Sequence, residues 1–300
     1  MRLRIATLFA GSMLVAACSG GGPSASPARP AVVVTYPVLG AVVADLVGDR
    51  ATVTVLMGNG VDPHDWSPSA KDIEKVGNAR LVIANGLDLE QGLTKPLAEA
   101  EKRGVSVFRA TDHLTVRTVD GAPAAPGGDE HVGGADPHFW VDPESMRQVV
   151  AALGPALQAA GIDVGDSAAD LDRRLSELDA EVRTTLAVVP EAHRKLVTGH
   201  ESMGYFADRY GFEMVGALLP GLTSQGEVSA GELAALRSAI EANGVPAIFT
   251  EIGTPRAVVD AIGKETGVEV VELPSHTLPA DGSYFTFIRE IATTVADALR

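Results

Sequence analysis

The sequence predicts an α/β fold of two similar lobes, each with a mostly parallel sheet, joined by one long linking helix with a cleft between the lobes. Three observations carry this. From Ala31 onward, short β-branched runs alternate with stretches that have room for helices, the pattern of parallel strands covered on both faces. The alternation occurs in two series, separated by a long amphipathic segment. The 300 residues, 46% of them hydrophobic, suffice for two cores, since one domain commonly takes roughly 100–200 residues.

Residues 1–17 carry Arg2 and Arg4 and then an apolar run too short for an ordinary membrane span, the pattern of a signal peptide. The run ends in Val15-Ala16-Ala17-Cys18, which resembles a bacterial lipobox. Cys18, the single cysteine, is therefore expected to be lipidated and to anchor the mature chain to the cell membrane, outside the cytoplasm. The alternative is an ordinary signal peptide followed by an incidental cysteine. Residues 18–30 complete a Gly-, Ser- and Pro-rich flexible tether.

The first strand series is AVVVTY (31–36), ATVTVLM (51–57), RLVIANG (80–86) and VSVFRA (105–110). The second is RKLVTG (194–199), EMVGALL (213–219), VPAIFTE (245–251) and VEVVEL (268–273). Between them, Leu171, Leu175, Leu178, Val182 and Leu186 form one apolar stripe, on a helix of roughly 33 Å. Such a helix either braces both lobes or lies on the surface of one. The expected division is 31–164 for the first lobe, 165–189 for the linking helix and 190–300 for the second lobe. Asp120 to Asp136, with Asp129, Glu130 and His131 among many Gly, Ala and Pro residues, is expected to be a mobile loop.

A net charge of −15 argues against nucleic acid, which requires clustered Lys and Arg. It suits a cationic ligand or serves solubility alone. Removing the leader takes Arg2 and Arg4 away and makes the mature chain more acidic still.

Four of the seven histidines are expected in matching loops that follow strands. Asp62-Pro63-His64 and Asp136-Pro137-His138 repeat the same local pattern, each with a tryptophan two residues later, Trp66 and Trp140. His64 precedes an expected helix cap at Ser67 with Pro68, and His138 precedes one at Asp142 with Pro143. His200 follows RKLVTG directly, and His276 follows VEVVEL. Loops at the carboxyl ends of strands form the ligand crevice of open α/β sheets, and neutral imidazole is the commonest metal ligand. One ion clamped between the lobes fits all four. His113, His131 and His193 sit in turns or in the acidic loop and read as ordinary residues, with a minor recruiting role open to His131.

NGVDPHDWSPSAKDI with NARLVIANGLDLE, then ADPHFWVDP, then TGHESMGYFADRYG, in that order, resembles the zinc/manganese solute-binding proteins of metal ABC importers. The resemblance covers essentially everything from Val32 onward. It implies two α/β lobes joined by one helix, lipid anchoring or periplasmic residence, and delivery of a metal ion to a membrane permease. Its first three ligand positions match His64, His138 and His200. Its fourth is usually an aspartate shortly before a Gly/Ser-Tyr pair, and the position counted back from Ser283-Tyr284 is His276. Either His276 takes that place or Asp281 or Glu251 does.

Three or four imidazoles suit Zn²⁺, whereas Mn²⁺ prefers carboxylate and water oxygens. Zn²⁺ is therefore the expected cargo and Mn²⁺ the alternative. Asp62, Asp136 and Glu201 are expected to orient imidazoles or cap helices. The expected protein is a monomer that is not an enzyme. The competing readings are a zinc hydrolase with three ligands, an open position and Glu201 as base, and a surface adhesin whose metal only staples the lobes. There is no HExxH helix and no Gly-x-Ser-x-Gly elbow.

Overall fold

The computed structural model describes residues 29–119 and 134–300. The leader, Cys18 and most of the tether lie outside the described residues, as do Asp120, Asp129, Glu130 and His131 of the acidic loop.

In the first half, β1 (Ala31–Val34), β2 (Thr52–Val55), β3 (Leu81–Ala84) and β4 (Val107–Arg109) form a parallel sheet in the order β2-β1-β3-β4. The helices α1 (Pro37–Val47), α2 (Ala70–Asn78) and α3 (Thr94–Lys102) make the crossovers. The apolar runs of β1 and β3 are unbroken because both sheet faces are covered. Val32, Val34, Leu81 and Ile83 enter the main core, while Val33, Val82 and Ala84 face a smaller cluster with Val76, Leu97 and Ala100.

The start of α2 differs from the expectation. Ser69, not Ser67, is its cap: Ser69 accepts from the Asp72 backbone N–H and Asp72 accepts from that of Ser69 at 3.0 Å. Such a capping box needs an acid three residues after the serine, and the residue three after Ser67 is Ala70. A pair of two-residue antiparallel strands, β5 (Thr118–Val119) and β6 (Gly134–Ala135), was not expected, since two residues carry no periodicity. α4 (Pro143–Ala159) begins as predicted, with Asp142 accepting from Glu144 N at 3.0 Å and Ser145 N at 3.1 Å.

The second half repeats the plan. β7 (Lys195–Thr198) pairs in parallel with β8 (Glu213–Ala217), and β9 (Ala247–Thr250) with β10 (Glu269–Glu272). The two pairs are separate two-stranded sheets, and β7 lies beside β9, so the strands follow one another in space as β8, β7, β9, β10, the counterpart of the first sheet's order. The helices are α6 (Gly204–Tyr210), α7 (Ala230–Asn243), α8 (Arg256–Thr266) and α9 (Tyr284–Leu299).

α5 (Ser167–Leu186) joins the halves, and its 20 residues span about 30 Å. Leu171, Leu175, Leu178, Val182 and Leu186 are all buried in one continuous core that also holds Val32 and Ile83 of the first sheet and Leu196 and Phe249 of the second. On its flanks Arg174 pairs with Asp45 of α1 at 2.9 Å, and Glu181 with Arg289 of α9 at 2.7 Å. The linking helix is thus a shared wall rather than a free strut.

Candidate metal centre

His64 and His138 are held by the same device. The Asp62 carboxylate accepts from the His64 backbone N–H at 3.0 Å, and Asp136 accepts from that of His138 at 2.9 Å. An aspartate side chain readily folds back onto the backbone two residues on, and the intervening proline has no N–H to compete. His64 follows β2 and His200 follows β7. His276 lies beyond β10, whereas His138 follows the short β6 rather than a strand of the main sheet.

All four imidazoles are buried, and one ring nitrogen from each lies within 4.8 Å of the others. The Nε2 of His138 is 3.2 Å from that of His64 and 3.1 Å from that of His200. Two nitrogens bound to one tetrahedral Zn²⁺ at about 2.0–2.1 Å stand roughly 3.3–3.4 Å apart.

The opposite side of the rings sets the proton positions. His138 Nδ1 is 2.8 Å from Asp136 Oδ1; a carboxylate only accepts, so Nδ1 carries the hydrogen and Nε2 keeps its lone pair. The Ser275 hydroxyl donates to Glu251, so the 2.8 Å contact between Ser275 Oγ and His276 Nδ1 is donated by the ring. His200 Nδ1 and His276 Nδ1 lie 3.3 and 3.5 Å from the two oxygens of Glu251. His276 Nε2 is buried without a hydrogen-bond partner. With their protons on Nδ1, His138 and His276 keep Nε2 lone pairs that a shared cation can take.

Burial pushes His276 down to about 3, and burial plus the neighbouring imidazoles push His64 well below the ordinary range. His138 is also lowered by burial, against the pull of Asp136. Burial works the same way on His200, but the charge and hydrogen bonding of Glu251 outweigh it and raise His200. Burial alone raises a carboxylate; His200 and His276 more than offset that for Glu251 and hold it ionised far below the carboxylate range. Ser202 Oγ donates to both Glu251 oxygens, at 2.8 and 2.7 Å. Asp136 is in turn held by Arg117 at 3.3 Å, and Tyr205 donates to its backbone carbonyl at 3.1 Å.

The family model described as ZnuA, zinc-uptake complex component A, periplasmic, matches residues 32–298. The chain belongs to this family. Zinc-binding protein TroA of Treponema pallidum is 30% identical over 271 residues, 89% of this chain and 83% of that protein. The manganese-binding lipoprotein MntA of Halalkalibacterium halodurans is 26% identical, over 84% of this chain and 81% of that protein. The structure of the periplasmic zinc binding protein TroA matches with a TM-score of 0.76 at 28% identity, over 90% of this chain and 99% of that one. FpvC from Pseudomonas aeruginosa in complex with Mn²⁺ matches with a TM-score of 0.75 at 26% identity, over 90% and 98% of the two chains.

In this ZnuA-family chain the other acidic residues named from the sequence stand apart from the four nitrogens. Glu251 is behind the rings of His200 and His276. Glu201 is outside the cluster, its backbone N–H donating to Gly221 O at 2.9 Å. Asp281 is exposed and accepts from Ser283 N at 3.0 Å and Thr286 Oγ1 at 2.7 Å at the start of α9. His113 stacks on Phe108 at 4.4 Å, and His193 Nδ1 meets Leu299 O at 2.9 Å, each away from the centre.

Sequence reasoning missed Ser202, Ser275, Arg117 and Tyr205. Only Ser275 had a signal, its place next to His276. Trp140 also gained a role: its Nε1 donates to Ser275 O at 2.9 Å and its ring lies edge-on to His138 and His276 at 5.2 and 5.4 Å. Trp66 instead packs, partly buried, against the apolar core of the first half.

Proposed function

We propose that this chain is the extracytoplasmic substrate-binding protein of an ABC transporter. It captures one Zn²⁺ on His64, His138, His200 and His276 and delivers it to the membrane permease. The observation that carries the reading is the convergence of four buried imidazoles, with Nδ1 of His138 against Asp136, Nδ1 of His276 against Ser275 and Nδ1 of His200 3.3 Å from Glu251. Zinc is preferred to manganese because the donors are all nitrogen, and hard Mn²⁺ is better served by oxygens. The relatives include both zinc-binding and manganese-binding proteins, so the preference rests on this chain's donor set.

The same geometry supports binding over catalysis. A catalytic zinc keeps an open position for water with a general base beside it. Four imidazoles fill a tetrahedral shell, and Glu201 stands outside the cluster. In this reading residues 1–17 are removed, Cys18 carries the lipid and 18–30 form the tether of a monomer. The lobes are 31–164 and 190–300, with 165–189 as the linking helix. Mass spectrometry of the mature N-terminus tests the anchor: a diacylglyceryl Cys18 is expected, and cleavage elsewhere without lipid rejects it.

The deciding experiment is metal content and chelator competition on a soluble chain beginning near residue 28, beside His276→Ala. One zinc per chain is expected, with affinity lowered at least about a hundredfold by the substitution. Unchanged affinity would leave three ligands and an open position, and the hydrolase reading would replace this one.

A further inference from the structure

Residues 58–66, between β2 and α2, carry His64 and contain no helix or strand. What holds them over the centre comes from the second half of the chain. Ser224 Oγ donates to Asp62 Oδ2 at 2.6 Å, while the other oxygen of Asp62 holds the His64 backbone N–H. Gln225 Nε2 donates to the His64 carbonyl at 2.8 Å and reaches Asp65 Oδ1 at 3.4 Å. Both polar groups flanking the His64 Cα are thus pinned, one through Asp62 and one directly, by two consecutive residues of the 218–229 segment, which also lacks helix and strand. Gly253, at φ +86°, leaves the space for this contact: a Cβ there would stand 2.3 Å from Asp62 Oδ2 and 2.7 Å from Ser224 Cβ.

A second clip lies on the other side of the same segment. The Asn59 side chain donates to Leu278 O at 2.8 Å and accepts from Leu278 N at 2.8 Å, two residues beyond His276. All four histidines are buried, His64 at 4% exposure and the other three at 0–1%. The halves themselves share one continuous core through α5, which resists opening by separation. The two loops can part without breaking a sheet or that core.

We propose that Ser224 and Gln225 are positioning residues that seat His64 in the metal shell, and that parting of this clasp sets the rate at which the ion leaves. The proposal rests on the reading of His64 as a metal ligand. Neither residue touches the ion. They fix the peptide that carries one ligand, and they do so across the cleft.

The test uses the full mature chain loaded with Zn²⁺ and chased with excess chelator. Ser224→Ala/Gln225→Ala is expected to release zinc about tenfold faster or more, from the loss of two hydrogen bonds, with metal-free melting unchanged. Loaded with Co²⁺ instead, the double variant is expected to show an altered visible absorption, because one imidazole is no longer held in place. Combined with His64→Ala, the pair is expected to add nothing to the release rate. If His64→Ala speeds release and the double variant does not, the clasp is rejected and the metal centre stands. If His64→Ala itself leaves release unchanged, His64 is not a ligand and both claims fall. Lower metal-free melting with an unchanged Co²⁺ spectrum would make the pair merely structural and would also reject the proposal.

Discussion

Glu251 is the residue that backs two of the four candidate ligands. It lies behind His200 and His276, and three hydroxyl or backbone donors, from Ser202, Ser275 and His200, complete its surroundings. A buried carboxylate so held is ionised, and an anion behind an imidazole strengthens its donation to a metal. Glu251→Gln keeps the shape and removes the charge, and zinc affinity is expected to fall about 10–100-fold in chelator competition. Asp281→Asn should leave that affinity alone, because Asp281 is engaged only at the start of α9. Equal losses in the two variants would show that Glu251 acts through general stability. At this scale the sequence revealed the repeated Asp-Pro-His pattern, which is local, but it left Glu251 open as a ligand. Which side of a ring a carboxylate occupies depends on backbone that arrives from β9.

Among the elements, α5 was legible from the chain alone, because a stripe at steps of three and four belongs to one helix face. What the stripe packs against was not legible, and two alternatives stood open. Leu175 is fully buried in the core shared by both halves. Leu175→Ala is expected to cost about 2–5 kcal/mol in urea unfolding of the metal-free protein. A loss typical of a surface site, about 0.5 kcal/mol or less, would mean that α5 is not the shared wall described above. The same contrast separates Ser69 from Ser67. Both serines precede an apolar run, and the acid three residues on decides between them.

The whole molecule stores a pH dependence in its centre. His64, His138 and His276 have lowered pKa values in the folded state, so they stay neutral there as the pH falls below the ordinary histidine value. The unfolded chain takes up protons at these residues from about pH 6.5 downward. Stability of the metal-free protein is therefore lost as the pH falls, at up to about 1.4 kcal/mol per pH unit for each such group. His200, raised by Glu251, contributes in the opposite sense: its stabilisation is present below pH 6.5 and fades as the pH rises through its folded value. Urea unfolding of chelator-stripped protein should show lower stability at about pH 5.5 than at about pH 7. Equal stability at both would mean that these imidazoles are not buried as neutral rings.

By itself the sequence determined the α/β class, the two strand series, the long apolar helix and the four histidines that stand near strand ends. Each of these is written in spacing over a few neighbouring residues, where strand and helix periods and cap chemistry act. Only the tertiary structure decided that His64 and His138, 74 residues apart, meet at 3.2 Å, and that Glu251 stands behind the rings. It also decided that Ser224 and Gln225 hold the loop of His64. The reason is physical: such contacts form only after both sheets dock on one core, and no local pattern encodes which distant loop will arrive there.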